Sequence, residues 1–186
     1  MAGLKSLWNN HKTPATDTMI NSQHYPKSVP LSELGKSIIG VFQCNQNVID
    51  SDSHELKSVD LLLTLADGLR SIGFVLDGRK AGNDKMSIPM RFSVNGRGDN
   101  AFRADGYHQK QKYMIEVEAG RAVTNYEFLK ELFKACTCDN VDAIAIAVRN
   151  IYRGSDDFSK VCAFMDTAFS SQRLSLPLKE VLIIGY

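Results

Sequence analysis

The chain has 186 residues and a formal net charge of +1; 44% of its residues are hydrophobic and 23% are charged. This composition is that of an ordinary globular domain. The near-neutral charge neither indicates nor excludes a local basic surface. No apolar run approaches the roughly 18 residues that span a bilayer, and the first residues lack the apolar core of a secretory signal. We therefore expect a cytoplasmic protein with no membrane partner.

The N-terminal part of the chain divides into a polar arm and two helices. Residues 1–30 are polar and contain three prolines, which predicts an extended arm or irregular wrap before a domain over 31–186. Ser32 is placed to cap a first helix. Ser53 is placed to open a second, whose apolar residues recur with the helical period until Gly73 stops it.

The middle of the chain changes to a strand-like pattern. Four candidate strands follow one another, in the segments GFVLDG, IPMRFSVNG, AFRADGY and KYMIEVEA. The basic loops between them, GRKAGNDK and NGRGDN, are candidates to embrace DNA, although polar loops usually serve only to turn the chain.

The last third alternates helices with apolar strands. Thr124 and Glu127 have the spacing of a capping box at the start of a helix, and the segment DAIAIAV, apolar on both faces, follows as a buried strand. We expect this strand to run parallel to KYMIEVEA. Ser155 is placed to cap a further helix, and EVLIIGY is the last strand. The order predicts one α/β domain with a mixed sheet flanked by helices.

Two glutamates share one face of the strand KYMIEVEA. If the preceding hairpin turns at Lys110 and Gln111, Asp105 lies opposite Glu116, and Glu118 shares their face. Like charges at such positions destabilise a sheet, so three carboxylates need a cation. Mg²⁺ or Mn²⁺ suits oxygen ligands.

The three carboxylates can also be accommodated without a metal. A half-exposed antiparallel strand often presents polar side chains to water. Nearby basic side chains can instead neutralise the carboxylates; the candidates are Arg103, Lys110 and Lys112. Cysteine chemistry offers less, because the four cysteines lack the paired spacing of a zinc site and are expected to be reduced thiols.

The pattern D-x10-E-x-E, with its acids on adjacent strands and a helix next, resembles the PD-(D/E)xK nuclease superfamily, also called restriction-endonuclease-like. Its core of a helix, three antiparallel strands, a helix and a parallel strand resembles the order predicted over residues 53–150. Ala104 departs from the proline of the motif. Glu118 stands where the motif has lysine, as in a subgroup of type II restriction enzymes with E-x-E.

The resemblance implies roles for individual residues. Asp105, Glu116 and the Val117 carbonyl would hold Mg²⁺ or Mn²⁺. Glu118 would act as general base or coordinate a second ion. Arg103, Arg121 and Asn125 would contact nucleic acid. Minor candidates are Glu55 or Asp60 as an extra ligand and Lys130 as a replacement for the missing lysine, although each is also an ordinary helix-surface residue.

The function implied is a metal-dependent endonuclease that hydrolyses double-stranded DNA, of the kind found in type II restriction enzymes and acting as a homodimer, since two-fold symmetry suits cleavage of both strands. The alternative is an inactive module of the same fold that binds nucleic acid or a protein. A third hypothesis is a structural domain with salt-bridged glutamates.

Overall fold

The computed structural model describes residues 20–77, 88–89 and 101–186. The described helices are α1 (Glu33–Ile49), α2 (Ser58–Ser71), α3 (Glu127–Thr137) and α4 (Asp157–Ser170). The strands are β1 (Asn21–Tyr25), β2 (Val75–Leu76), β3 (Ile88–Pro89), β4 (Ala101–Phe102), β5 (Gly106–His108), β6 (Tyr113–Glu118), β7 (Ala143–Val148), β8 (Ile151–Tyr152), β9 (Ser155–Asp156) and β10 (Glu180–Gly185).

Six strands form one mixed sheet in the order β1-β10-β7-β6-β5-β2. The three central strands β10, β7 and β6 are parallel, while β1 pairs antiparallel with β10, and β5 pairs antiparallel with β6 and β2. All six residues of β7 and all six of β10 are buried, as expected for parallel strands covered on both faces. The predicted parallel pairing of β6 and β7 is confirmed.

Helices cover both faces of the sheet. Helices α1 and α2 pack with the side chains of Ile115 and Val117 on one face. Helices α3 and α4 pack with Met114 on the other. Because successive strand residues point to opposite faces, Glu116 and Glu118 project toward α3 and α4. The predicted single α/β domain with a mixed sheet flanked by helices is confirmed.

The N-terminal part of the sheet lies within the segment predicted as a polar arm. Residues 21–25 form β1, so the sheet extends to the N-terminal side of residue 31. Residues 1–19 lie outside the described residues, as do the loops GRKAGNDK and NGRGDN and most of the candidate strand IPMRFSVNG. No helix in the described ranges is long and apolar enough to cross a membrane.

The predicted start of the first helix is correct, and the predicted starts of the next two are not. Ser32 is the N-cap of α1 and accepts a hydrogen bond from the Gly35 amide, as predicted. The second helix begins at Ser58, later than the predicted Ser53. The capping box at Thr124 is wrong, because residues 122–125 form turns and Tyr126, in a left-handed conformation, is the N-cap of α3.

The start of α4 also differs from the prediction by one residue. Asp156, rather than Ser155, is its N-cap, and the Asp156 carboxylate accepts a hydrogen bond from the Ser159 amide. Ser155 belongs to β9 instead, because it pairs with Tyr152 in a two-stranded hairpin.

Candidate active site

The hairpin between β5 and β6 brings the predicted acids together. Gly106 pairs with Ile115 and His108 with Tyr113, so the turn centres on residues 110 and 111, as predicted. One step further along the same register, Asp105 lies opposite Glu116. The Asp105 amide is 3.4 Å from Glu116 Oε2, and the Val117 amide donates a hydrogen bond of 3.0 Å to Asp105 Oδ2.

A lysine from α3 joins this pair of acids. Lys134 Nζ lies 2.8 Å from Glu116 Oε1 and also contacts the Glu131 carboxylate. It donates a third hydrogen bond, of 2.9 Å, to the carbonyl of Arg103, two residues before Asp105. Lys134 therefore links helix α3 to both strands of the hairpin.

Glu116 is buried, so the strand does not simply present polar side chains to water. Only 5% of Glu116 is exposed, because α3 covers its face of the sheet. Burial raises the pKa of Glu116 well above its ordinary value, and the carboxylates of Glu131 and Asp105 raise it further against the opposing effect of Lys134. The alternative prediction, that this strand face is half-exposed and presents polar side chains to water, is therefore wrong for Glu116.

Glu118 lies at the end of the same strand face and is half-buried. Burial, followed by the repulsion of Glu131, Asp105 and Glu127, raises the pKa of Glu118 to about 7, despite the nearby Lys134. For Lys134, burial lowers the pKa, but attraction to Glu116 and Glu131 outweighs it and the net shift is upward. The described site thus holds a charged lysine among carboxyl groups that repel one another.

Sequence reasoning missed both Lys134 and Glu131. The buried residues of α3 are Phe128, Glu131, Leu132 and Ala135, so Glu131 completes an i, i+3, i+4, i+7 stripe that is otherwise apolar. A carboxylate inside such a stripe is the signal that could have located the site. Lys134 lies three residues further along the helix, where i, i+3 side chains are neighbours.

The minor candidates are exposed side chains. Lys130 pairs with Glu127 at 2.7 Å and is 61% exposed, whereas Lys134 is the lysine in contact with Glu116. Glu55 precedes α2 and is exposed, and Asp60 is exposed in the first turn of that helix.

The three residues predicted to contact nucleic acid are exposed and lie beside the hairpin and after β6. Arg103 is solvent-exposed, while its carbonyl binds Lys134. Arg121 and Asn125 lie in the connection from β6 to α3, where the Asn125 amide donates a 3.0 Å hydrogen bond to the Arg121 carbonyl. Arg121 has a φ of 65°, so the chain turns sharply here.

The donor set fits a divalent cation in its chemistry. Asp105, Glu116 and Glu118 supply the carboxylate oxygens that Mg²⁺ and Mn²⁺ prefer. Burial is the main cause of the raised pKa values of the two glutamates, and the repulsion between carboxylates, which a cation would relieve, adds to it. In the arrangement described, Lys134 engages Glu116, and no group of three or more His, Cys, Asp or Glu within residues 20–77 and 101–186 is placed to hold a metal ion. Metal binding would therefore have to compete with Lys134 for Glu116.

No protein family, curated protein or solved structure matches this chain. The chemistry of the site is therefore defined by its own residues. They combine an aspartate and a glutamate facing each other on neighbouring strands, a second glutamate at the strand end, and a buried lysine from the next helix. Such perturbed ionisable groups are enriched at functional sites.

Proposed function

We propose that this protein is a metal-dependent nuclease that hydrolyses phosphodiester bonds in DNA. The observation that carries the proposal is the position of Asp105 opposite Glu116, with Glu118 on the same face and Lys134 in contact with Glu116. This arrangement is what the resemblance to PD-(D/E)xK nucleases leads us to expect of residues that hold a cation and activate water.

Each residue would have a distinct task. Asp105, Glu116 and the carbonyl of Val117 would hold Mg²⁺ or Mn²⁺, which when bound supplies polarisation of the phosphoryl group. Glu118 would accept a proton from the attacking water at its carboxylate. Burial raises the pKa of Glu118 to about 7, and a cation bound beside it would lower this pKa, so Glu118 would be ionised and able to accept a proton at neutral pH.

Lys134 would take the task of the lysine that the E-x-E sequence lacks. Its ammonium group reaches the Glu116 carboxylate from α3 rather than from β6. The compact charge would stabilise negative charge that develops on the phosphoryl oxygens during hydrolysis. The protein would work as a homodimer to cut both strands of duplex DNA.

One observation favours a second candidate function. Lys134 already neutralises part of the carboxylate cluster, and the described residues hold no preformed metal group. A nuclease fold that uses this lysine in place of a metal would bind nucleic acid or a protein without cleaving it. Metal-dependent cleavage separates the two candidates.

The deciding experiment is a cleavage assay. Supercoiled and linear duplex DNA would be incubated with the protein in Mg²⁺, Mn²⁺ and EDTA, beside the Asp105→Asn and Glu116→Gln variants. We expect metal-dependent cleavage by the natural sequence and at least about 100-fold less by either variant, since each removes a ligand charge.

The matched control is Glu33→Gln, which makes the same substitution at an exposed glutamate paired with Lys36 on α1. Its cleavage rate should equal that of the natural sequence. An absence of cleavage in every metal, together with no rise in melting temperature on adding Mg²⁺, would reject the nuclease and leave the binding module. Light scattering in solution would test the dimer.

A further inference from the structure

A small hairpin extends from the end of β7, the strand that runs beside the one carrying the acids. Strands β8 and β9 are joined by Arg153 and Gly154, whose φ angles of 50° and 77° form the kind of two-residue turn that hairpins favour. Glu118 is paired with Val148, the last residue of β7. The hairpin therefore begins at the edge of the sheet where β6 presents Glu118.

An aromatic ring fixes two arginines in this hairpin. The guanidinium carbons of Arg149 and Arg153 lie 5.6 and 5.3 Å from the centre of the Tyr152 ring, within cation–π range. The same ring packs against Gly120, two residues after Glu118. A Cβ atom at Gly120, where φ is 141°, would approach Tyr152 Cε2 to 2.7 Å, so only glycine permits this contact.

The positive charge of the two arginines is not neutralised within the described part of the chain. Neither Arg149 nor Arg153 forms an ion pair with a described carboxylate. The acids nearest in sequence bind other groups: Asp156 accepts from the Ser159 amide and Asp157 from the Ser155 hydroxyl.

Arg149 itself is 8% exposed, a depth at which a cation is costly without partners. One of its terminal nitrogens donates a 2.8 Å hydrogen bond to the Leu56 carbonyl, and its side chain also hydrogen-bonds the Tyr186 side chain, but its Nε has no partner in the described structure. Arg149 is thus a buried arginine without a carboxylate partner, and the exposed Arg153 contacts the same Tyr152 ring. This pair of positive charges indicates a surface that can bind an anion from outside the chain.

We propose that the β8–β9 hairpin binds a backbone phosphate of the nucleic acid whose neighbouring phosphodiester lies at Glu118. Arg153, exposed at the tip, contacts the phosphate, while Tyr152 and the buried Arg149 position it and add charge. This inference rests on the proposed function, because it names the surface that holds the substrate of that same site.

Nucleic acid is the partner that the observations favour. A planar guanidinium fork matches phosphate oxygens, and phosphate contacts position a duplex without reading its sequence. The exposed Arg121 directly follows Gly120, the residue that contacts Tyr152, so a further positive side chain belongs to the same part of the chain. A chain of regularly spaced phosphates can meet these arginines and Glu118 together.

The test measures DNA binding apart from cleavage. Fluorescence anisotropy with a labelled duplex, in EDTA and again in Ca²⁺, would compare the natural sequence with Arg153→Asn over a range of salt concentrations. Asparagine is chosen because it tolerates the positive φ of residue 153. We expect about tenfold weaker binding. The slope of the logarithm of the binding constant against the logarithm of the salt concentration should be shallower by about one, as for the loss of one phosphate contact.

Two further variants complete the design. Arg173→Asn makes the same change at an exposed arginine in the connection between α4 and β10 and should bind as the natural sequence does. Arg153→Lys keeps the charge and should restore the salt dependence, which a merely structural role would not predict.

The outcomes distinguish the phosphate-binding hairpin from the proposed nuclease activity. Weaker binding and a lower salt dependence in Arg153→Asn alone support the phosphate surface, even if the cleavage assay finds no activity. Unchanged binding in Arg153→Asn overturns the phosphate surface while metal-dependent cleavage still supports the nuclease. A natural sequence that binds no duplex in either buffer also overturns it.

Discussion

Two buried glutamates in the same sheet lie in opposite environments. Glu180, at the start of β10, is 7% exposed and accepts hydrogen bonds from the Ser32 amide, the Ser32 hydroxyl and the Tyr113 hydroxyl, at 2.7 to 2.9 Å. Glu116, near the end of β6, is 5% exposed, yet lies among other carboxylates with one lysine. Glu180 thus ties the chain before α1 to the sheet, whereas Glu116 is held among repelling charges that a function has to explain.

The largest expected difference between the two regions is in catalysis. Glu118→Gln should reduce cleavage at pH 7 by at least about 100-fold, because glutamine cannot accept the proton of the attacking water. Initial rates of plasmid nicking in Mg²⁺ would measure it. Unfolding in urea should show that the variant is as stable as the natural sequence or more so, since a repelling carboxylate has been removed. Near-natural activity in this variant would exclude Glu118 as the base.

The second prediction concerns Glu180. Glu180→Ala should lower the free energy of unfolding by about 3 kcal/mol, because the amide and hydroxyl donors of Ser32 and the buried hydroxyl of Tyr113 lose their acceptor. For a chain of this size, the melting temperature should fall by roughly 6–12 °C.

Thermal and urea unfolding would measure this loss, with Glu33→Ala at an exposed site as the control. Cleavage at a temperature where Glu180→Ala remains folded should be unchanged. A Glu180→Ala protein that stays stable but no longer cleaves DNA would contradict this assignment, because it would place the function at Glu180 rather than at Glu116.

The third prediction uses two lysines on one helix. Lys134→Met should destabilise the fold by about 2 kcal/mol, because Glu116 and Glu131 then lack their nearest cation. Lys130→Met should cost less than about 0.5 kcal/mol, since its pair with Glu127 is at the surface. Urea unfolding of both proteins would show the difference, and equal losses would contradict the buried position of Lys134.

The smallest effect is expected from pH. Because the pKa of Glu118 is raised from 4.5 to about 7, the folded protein binds more protons than the unfolded chain between those values. The contribution of this group to stability is therefore complete below about pH 4.5 and is lost as pH rises toward 7. Glu116, whose pKa is also raised, acts in the same direction.

Melting temperatures across this pH range would measure the effect, which should be about 1 kcal/mol for Glu118. Glu118→Gln should flatten the profile, and Mg²⁺ should raise the melting temperature most at the upper end, where the carboxylates are ionised. A natural profile identical to that of Glu118→Gln would show that Glu118 titrates normally.

The hairpin at the site and the helix after it could be predicted from the sequence, but the contacts of that helix with the acids could not. Alternation in β5 and β6 fixes which side chains share a face, so the register that puts Asp105 opposite Glu116 follows once the turn is located. Glu131 stands in the apolar stripe of α3, and Lys134 lies three residues further along the helix. Their burial depends on how that helix packs against β6, which local sequence does not specify.

Other differences have similar causes. Strand β1 is short and polar, so only its pairing with β10 makes it a strand, and composition instead predicts an arm. The capping box at Thr124 satisfies a local pattern, but the sharp turn that begins at Gly120 and Arg121 delays α3 until Glu127. Tertiary contacts override local preference in both places.

The pairing of β1 with β10 also sets the order in which the protein can be completed during translation. Tyr25 pairs with Val181, so the ribosome must make nearly all the intervening chain before β1 has a partner. At ordinary rates of synthesis this takes roughly 8–30 s. Throughout that interval residues 21–25 have no strand partner, so β1 can join the sheet only after β10 has been made.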